Sequence, residues 1–329
     1  MLIQYYLALA AVLLSALFTR LSIPLSRYLS KRLNLLGVDA HKPDSPLIPK
    51  TGGLAVAVGA LISTALVFTL FNLNPTILAG VMLSTLTAAA IGLYEDLREM
   101  NPVGKPLLLA LAGLPIILLG IYYPNPDFPF IGRTRMHIIY PLLVLAGFSI
   151  ISNAINSIDV LNGSMVSTSA VALTPLLIVS LMEGRVEALA MTAALMGALI
   201  AFIPENKYPA KLFVGNVGSL STGALFTSIA VIGRIEIITI IALMPQIMNE
   251  FHIIFSMGGL KSAKLVKERP VNVENGLIEA NESEKAPITL VRLITARNKL
   301  AEKNVVICLI ILSAYSSALA LITYLLFMR

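Results

Sequence analysis

Long apolar stretches alternate with short polar segments along almost the whole chain. A hydrocarbon core of about 30 Å needs roughly 17–25 apolar residues for one helical crossing, and by that measure the pattern predicts about ten membrane-spanning helices. The predicted spans cover residues 2–25, 52–72, 76–93, 106–123, 137–157, 164–182, 186–203, 212–232, 235–257 and 304–328. We expect one polytopic membrane domain over 1–329, with a larger loop at 258–303.

Composition excludes a soluble globular protein. Hydrophobic residues make up 57% of the chain and charged residues only 13%, which is far from the balance of soluble domains. The single cysteine, Cys308, excludes a disulfide framework within the chain. The sequence therefore predicts an all-α integral membrane protein.

Basic residues gather in alternate loops, which predicts the orientation of the chain. Five loops hold 18 of the 24 Lys and Arg residues: 26–51, 94–105, 158–163, 204–211 and 258–303. Because Lys and Arg accumulate in cytoplasmic loops, we expect these five loops inside the cell and both termini outside. The net charge of +6 is then mainly an orientation signal, and nucleic acid binding has no separate support.

Two extramembrane segments depart from the pattern of short connecting loops. Residues 122–135 carry three prolines and alternating apolar residues, which predicts an outward turn or hairpin on the bilayer surface. The middle of the loop at 258–303 has few residues that could form a core, so we expect it to be partly disordered.

Adjacent carboxylates, Glu95 and Asp96, end the third predicted span. They repel one another unless a cation lies between them or they point in different directions. Mg²⁺ is the natural cation, because it prefers oxygen ligands and binds proteins through one or two carboxylates plus phosphate oxygens. A solvated helix end is the alternative interpretation.

A second polar segment ends the fifth predicted span. Asn153, Asn156 and Asp159 recur every three residues, and Asn162-Gly163 follows. This spacing places the polar groups along one helix face. They could bind a ligand at the helix end, or they could hydrogen-bond a neighbouring helix.

Two further segments add cations and glycines on the same predicted face. PENKYPAKLFVGNVGSLSTG, residues 204–223, supplies Lys211 and a glycine-rich helix start. Such a start suits phosphate oxygens, although glycines also serve close helix packing in membranes. GVDAHKPDSPLIPKTGG, residues 37–53, supplies His41, Lys42 and Lys50. Carboxylates, carboxamides, lysines and glycine-rich turns on one face together indicate a site for a nucleoside diphosphate.

In combination, these segments resemble the polyprenyl-phosphate N-acetylhexosamine-1-phosphate transferase family over nearly the whole chain. The similarity is greatest to the dolichyl-phosphate N-acetylglucosamine-phosphotransferase branch. It rests on KPLLLALAGLPIILLGIYY (105–123), NAIN followed by NG, NKYPAKLFVGN and MPQIMNEF (244–251). The resemblance implies a ten-helix fold and a Mg²⁺-dependent transferase, with Mn²⁺ as the alternative ion.

The resemblance also assigns residues to roles. It implies that Glu95 and Asp96 are the acidic pair at the metal, that Lys105 contacts the pyrophosphate, and that Lys42 helps to neutralise it. The implied substrate-binding residues are Asn153, Asn156, Asn162, Lys211, Phe213 and Arg269. Phe213 corresponds to the aromatic residue that stacks on uracil, Asn162 to the position that recognises the base, and Arg269 to a sugar-binding residue.

This chain departs from the family pattern at the metal. Asn216 stands where the family has a magnesium-binding aspartate, and Glu95 stands where it usually has aspartate. An amide oxygen can bind Mg²⁺ but brings no charge. The expected metal ligands are therefore Asp96, Glu95 and Asn216, with Asp159 restoring part of the missing negative charge.

The activity that the resemblance implies is transfer of N-acetylglucosamine-1-phosphate, or a related sugar-1-phosphate, from a UDP-sugar to a polyprenyl phosphate. The expected partners are a UDP-N-acetylhexosamine, dolichyl or undecaprenyl phosphate and the bilayer, and a homodimer stays open. We expect a multi-pass archaeal cell membrane protein with a cytoplasmic active site; the endoplasmic reticulum is the second choice. The alternatives are a proton-coupled transporter and a catalytically degenerate family member that binds nucleotide.

Overall fold

The computed structural model describes residues 2–42, 44–261 and 268–328. Within them the chain is predominantly helical, which confirms the prediction of an all-α integral membrane protein. The helices are α1 (Leu2–Arg32), α2 (Gly52–Leu70), α3 (Pro75–Leu97), α4 (Gly104–Leu111), α5 (Leu114–Leu118), α6 (Tyr140–Ser157), α7 (Ser164–Met182), α8 (Val186–Asn206), α9 (Gly215–Gly233), α10 (Glu236–Ala242), α11 (Met244–Ser256), α12 (Leu290–Ile294) and α13 (Glu302–Phe327).

Eight helices in the described part of the chain are long and apolar enough to cross a membrane. They are α1, α2, α3, α6, α7, α8, α9 and α13. The pair α10 and α11 adds a ninth span if it is counted as one, with a bend of 68° between its halves. Pro245 stands in the first turn of α11, and a proline there cannot continue the hydrogen bonds of a preceding helix.

The predicted span at 106–123 is not one long helix. It divides into the short helices α4 and α5, with Gly113 before α5 and Pro115 in its first turn. Together they form an apolar segment, Gly104–Leu118, which is shorter than the other spans. This division accounts for the difference between ten predicted spans and nine, and the bend between α10 and α11 accounts for the count of eight.

Three small antiparallel sheets lie outside the long helices. Their strands are β1 (Leu36–Val38), β2 (Leu47–Pro49), β3 (Asp127–Phe128), β4 (Gly132–Arg133), β5 (Val271–Glu274), β6 (Leu277–Ala280) and β7 (Leu300–Ala301). β1 pairs with β2, and β3 pairs with β4 to form a hairpin in the segment 122–135, as expected. β5, β6 and β7 form a three-stranded sheet in that order.

The sheet of β5, β6 and β7 corrects the expectation for the loop at 258–303. The described part of that loop is folded, because Val271 and Ile278 are buried and Ile278 pairs with Leu300 across the sheet. Residues 262–267 lie outside the described residues. The few apolar residues of the loop suffice because they pack as a small cluster together with α12.

The helix α9 occupies the centre of the bundle. Every residue of α9 except Asn216 is buried. Glycines permit its close approach to three neighbours: a Cβ on Gly53 of α2 would lie 2.1 Å from Gly218 Cα, and one on Gly223 would lie 2.3 Å from Ser152 Cα of α6. A Cβ on Gly92 of α3 would lie 2.4 Å from the Asn216 carbonyl oxygen. The start of α9 is therefore held against the ends of α3 and α6.

Candidate active site

Asp96 lies at the end of α3, directly against the start of α9. Its carboxylate is fully buried and accepts hydrogen bonds from the backbone N–H groups of Asn216 and Val217, both at 3.3 Å. These amides have no partner within α9, and they carry the positive end of the helix dipole. Lys50 Nζ completes the environment at 2.9 Å from Asp96 Oδ1.

Glu95 points to a different neighbour from Asp96. It pairs with Lys105 of α4 at 2.8 Å, and Lys105 Nζ also donates to Asn156 Oδ1 at 3.0 Å. Asn156 Nδ2 in turn donates to Asn216 Oδ1 at 2.7 Å. The adjacent acids thus avoid repulsion by diverging, each toward its own lysine.

The contacts of these two acids form one continuous polar network. Asn216 Nδ2 donates to Asp96 Oδ1 at 3.0 Å and so joins the two halves. We call this set the acid–lysine network; its members are Lys50, Glu95, Asp96, Lys105, Asn156 and Asn216. Three separate sequence segments and the loop before α2 meet here, which the spacing along the chain alone does not reveal.

A cavity of about 350 Å³ opens beside the acid–lysine network. Its lining includes Lys50, Asn156, Asp159 and Asn216. The remaining lining residues include Val38, Asp39, Ala40, His41, Val160, Leu161, Asn162, Asn206, Phe213 and Gly215. The lining is polar and carries both signs of charge, which suits a charged, hydrogen-bonding ligand rather than a hydrocarbon.

Asp159 has an unusual protonation equilibrium in this cavity. Burial raises the pKa of its carboxyl to about 7, the neighbouring Lys50 ammonium opposes the rise, and the Asp96 carboxylate adds to it. Two carboxylates thus share the field of one lysine. A further cation at this point would relieve the repulsion between them.

A second group of charged residues surrounds Asn162, in the turn between α6 and α7. Asn162 Nδ2 donates to Asp39 Oδ2 at 3.0 Å, and its backbone N–H donates to Glu302 Oε1 at 2.7 Å. Lys42 forms an ion pair with Asp39. We call Asp39, Lys42, Asn162 and Glu302 the Asn162 cluster. Gly163, with a φ of 86°, permits the turn that starts α7.

A cavity of about 540 Å³ adjoins the first one. The two share Ala40, His41 and Val160, and the second is closed by Arg269 and the strand β5. Burial lowers the pKa of His41, which Asp39 opposes and Arg269 reinforces. The loop at 258–303 thus supplies a wall of the site.

A third cavity, of about 420 Å³, is apolar. It follows α6 from Tyr140 to Ile151 and is also lined by α9, α10 and α11. Ile151 precedes Asn156 by five residues, which is roughly 8 Å along a helix. The apolar cavity therefore ends about that far along α6 from the acid–lysine network.

The structure brings many of the predicted site residues together. Asn156, Asp159, Asn162, Phe213 and Asn216 line the first cavity. Asp96 lies directly behind Lys50 and Asn216, and Arg269 lines the adjoining cavity. Their functional roles stay predictions.

Four of the expected residues are placed differently. Glu95 is held by Lys105 and does not line the first cavity. Lys42 pairs with Asp39 beside Asn162 and does not line the first cavity. Asn153 donates to the Ser149 carbonyl of its own helix, and Lys211 is exposed. Lys50, rather than Lys42, is the lysine of this loop that contacts Asp96.

Sequence reasoning missed three contributions to the site. It named Lys50 only as a nearby cation, and it assigned nothing to Asp39 or Glu302. One signal was available for Glu302, because an acid that begins a membrane helix is costly unless it has a partner. Asp39 gave no comparable signal, since acids in polar loops are usually solvated.

The oxygen donors near Lys50 fit a Mg²⁺ ion. Within the described residues no group of three or more His, Cys, Asp and Glu side chains is arranged for a metal. Asp96 and Asp159 nevertheless provide two carboxylates around one cation, Lys50. Mg²⁺ commonly binds through one or two carboxylates and completes its coordination with phosphate oxygens and water. Asn216 is a neutral third donor, and Glu95 is committed to Lys105.

Comparison with known proteins gives a consistent result. Residues 78–234, which run from the first turn of α3 to the end of α9, match the model of a family described as glycosyl transferase family 4. A provisionally named glycosyltransferase of Methanocaldococcus jannaschii is 32% identical over 234 residues, which are 69% of this chain and 70% of that protein.

Two other relatives carry more specific names. A protein of Saccharolobus solfataricus is 29% identical over 67% of this chain and 69% of its own length. It is provisionally named a UDP-N-acetylglucosamine–dolichyl-phosphate N-acetylglucosaminephosphotransferase. The phospho-N-acetylmuramoyl-pentapeptide-transferase of Shouchella clausii is 28% identical over 70% of this chain and 74% of its own length.

Proposed function

Because the chain belongs to glycosyl transferase family 4, we propose that it transfers N-acetylglucosamine-1-phosphate from UDP-N-acetylglucosamine to dolichyl phosphate and releases UMP. This reaction would be the first step in assembly of a lipid-linked glycan for protein N-glycosylation. The name of the Saccharolobus solfataricus relative supports the choice of sugar and lipid. The protein is a multi-pass membrane protein, and the distribution of basic residues favours a cytoplasmic active site in the cell membrane.

One observation carries the proposal. A single cavity is lined by Lys50, Asn156 and Asn216 of the acid–lysine network and also by Asn162 and Phe213. Lysines, a helix start and carboxylates that could hold a metal suit a diphosphate, whereas an amide beside an aromatic ring suits a base. A UDP-sugar would place its diphosphate at the network and its uracil near Phe213. The adjoining cavity, which is lined by His41 and Arg269, would then hold the sugar.

The apolar cavity supports a lipid acceptor. Its position along α6 would hold the isoprenoid chain of dolichyl phosphate, and the phosphate would lie near Asn156. An acceptor of this kind cannot leave the bilayer without exposing its chain to water. The polar cavity and the apolar cavity both include residues of α6, so one helix would serve both halves of the substrate.

The reaction requires one bond to form and one to break at phosphorus. An oxygen of the lipid phosphate attacks the β-phosphorus of the UDP-sugar, the bond from that phosphorus to the bridging oxygen breaks, and UMP leaves. The lipid phosphate is already ionised, so the chain needs no general base. Lys50 and Lys105 would instead neutralise charge on the phosphates and align them.

Asp96 and Asp159, with Asn216 as a neutral ligand, would hold Mg²⁺. The bound ion would neutralise the charge that develops on the leaving UMP. When substrate binds, the Lys50 ammonium would leave Asp96 and pair with a phosphate oxygen. The Asp96 carboxylate would keep its hydrogen bonds from the start of α9 throughout.

The degenerate alternative has one specific observation in its favour. Asn216 stands where the family has aspartate, so the proposed metal ligands carry one negative charge fewer. Its side-chain amide donates a hydrogen bond to Asp96. The transporter alternative requires polar residues near the middle of the bilayer, whereas the acid–lysine network lies at the ends of α3 and α6 and the start of α9.

The test is release of UMP by the purified protein. UDP-N-acetylglucosamine and dolichyl phosphate are supplied with Mg²⁺ or with a chelator, and undecaprenyl phosphate and UDP-N-acetylgalactosamine serve as competing substrates. We expect release that depends on Mg²⁺ and on the lipid. Tight binding of UMP without turnover of any of these pairs would support the degenerate alternative, and no binding of UMP would contradict both.

A further inference from the structure

The side-chain amide of Asn162 is held in one orientation by Asp39. Asn162 Nδ2 donates to Asp39 Oδ2 at 3.0 Å, and the exposed fractions of the two residues are only 5% and 3%. Both residues also line the cavity of about 350 Å³. The contact joins the loop between β1 and β2 to the turn between α6 and α7.

The chemistry of the partner fixes which end of the amide remains free. A carboxylate only accepts hydrogen bonds, so the NH₂ group of Asn162 must face Asp39. Its oxygen, Oδ1, is then the group left for a ligand in the cavity. Within residues 2–42, 44–261 and 268–328, no side chain or backbone group donates to that oxygen.

The backbone of Asn162 is held equally firmly. Its N–H donates to Glu302 Oε1 at 2.7 Å, and Glu302, at the start of α13, is only 4% exposed. Asp39 and Glu302 both lie outside the matched residues 78–234. The last helix and the first loop therefore clamp one asparagine from two sides.

We propose that Asp39 is a specificity-determining positioning residue: it fixes Asn162 as a hydrogen-bond acceptor and so selects uracil over cytosine. This inference rests on the proposed function, because it requires a nucleotide base near Asn162 and Phe213. Uracil carries an N–H at N3, which can donate to Asn162 Oδ1. Cytosine has a lone pair at N3, which would face the amide oxygen and leave both acceptors unpaired.

A neutral residue at position 39 would release this constraint. In Asp39→Asn the two amides can hydrogen-bond either way round, so Asn162 can present its oxygen or its NH₂ group. The second arrangement suits the N3 lone pair of cytosine. A merely structural role for Asp39 would instead weaken the binding of both nucleotides alike.

The experiment measures binding of UMP and of CMP to the purified full chain by calorimetry. We expect the wild type to bind UMP at least about tenfold more tightly than CMP, since one unpaired polar group typically costs that much. Asp39→Asn should lose about tenfold of this preference, chiefly through tighter CMP binding. Asp44→Asn, which makes the same change at an exposed position of the same loop, should keep it.

A second probe needs no variant. UMP methylated at N3 lacks the donor, so it should bind the wild type at least about tenfold more weakly than UMP. Equal binding of the two, or an unchanged ratio of UMP to CMP affinity in folded Asp39→Asn, would overturn the inference while leaving the proposed function intact. Failure of the wild type to bind UMP would instead count against the proposed function itself.

Discussion

The acid–lysine network and the Asn162 cluster contain similar residues but balance their charges differently. In the network each carboxylate has its own lysine, Asp96 with Lys50 at 2.9 Å and Glu95 with Lys105 at 2.8 Å. In the Asn162 cluster Lys42 pairs with Asp39, and the buried carboxylates of Asp39 and Glu302 each accept a hydrogen bond from an amide group of Asn162. One region offers cations that can change partner, and the other holds an amide in place.

The difference fits the two halves of a nucleoside diphosphate. A phosphate has no preferred face, so a lysine on a flexible stem can follow it. A base is distinguished by the direction of its donors and acceptors, so its partner must be fixed. The half-buried Lys50 is 35% exposed, whereas Asn162 is 5% exposed. Predictions for single residues can therefore separate the two kinds of site.

The largest effect is expected from Asp96→Asn. This change removes the buried charge that Lys50 and the start of α9 both contact. We expect turnover, measured as UMP release, to fall about 10³-fold, in line with the loss of a preorganised electrostatic group. Glu99→Gln, an exposed acid three residues later, should stay within about twofold of the wild type.

Asp96 also caps α9, so the same variant needs a folding measurement. UMP binding by calorimetry and thermal unfolding in detergent distinguish a folded, inactive protein from an unfolded one. A folded Asp96→Asn protein with wild-type turnover would show that Asp96 serves only α9.

A smaller loss is expected from Lys50→Met. Lys50 lines the cavity beside Asp96, whereas Lys211 is exposed and lies outside the lining. We expect kcat/KM for the UDP-sugar to fall about 10²-fold in Lys50→Met, because a charge-assisted contact to phosphate is lost. Lys211→Met should change it by less than about threefold. Equal losses in both variants would contradict the assignment of Lys50.

The third prediction concerns Asn216→Asp. Without metal this change places a second carboxylate where the Asn216 amide now donates to Asp96, so we expect the midpoint of thermal unfolding to fall by about 2–4 °C. With Mg²⁺ the added charge should reverse that loss and lower the Mg²⁺ concentration for half-maximal UMP release by roughly 3–10-fold. Asn125→Asp, in the segment that carries the β3–β4 hairpin, is the control. A variant that needs more Mg²⁺ than the wild type would refute the proposed ligand set.

Sequence predicted the helical membrane fold and the segments that form the site, because each depends on local pattern. Apolar length predicts a span, and the spacing of Asn153, Asn156 and Asp159 predicts a polar helix face. Only two of those three residues line the cavity. The Asn153 side chain instead donates a hydrogen bond to the Ser149 carbonyl of its own helix. Which polar residues of α6 face the cavity depends on the rotation of α6 against α9.

The features of the fold and the site that the sequence did not predict depend on contacts between distant parts of the chain. Lys42 and Lys50 lie in one polar loop and look equivalent, yet β1 and β2 carry them to different carboxylates. The sheet of β5, β6 and β7 was missed because its buried residues are few and scattered over 30 positions. Such pairings follow from tertiary packing rather than from periodicity.

The smallest effect expected concerns Asp159, which shares the field of Lys50 with Asp96. Its pKa is raised to about 7 by burial, from an ordinary value of 3.8. The folded protein therefore holds this proton more tightly than the unfolded chain does. Stability from protonated Asp159 is fully present below about pH 4 and is lost as the pH rises through about 7.

Asp159→Asn should remove that dependence, which unfolding midpoints from pH 4 to 8 would reveal without metal. Relative to Asp44→Asn, we expect the variant to gain a few degrees of stability at pH 8 and to gain nothing at pH 4. Mg²⁺ should reduce the wild-type loss at pH 8, because a cation between Asp96 and Asp159 replaces repulsion with attraction. If Mg²⁺ stabilises the wild type and Asp159→Asn equally, Asp159 is not one of its ligands, and the network holds its cation through Asp96 alone.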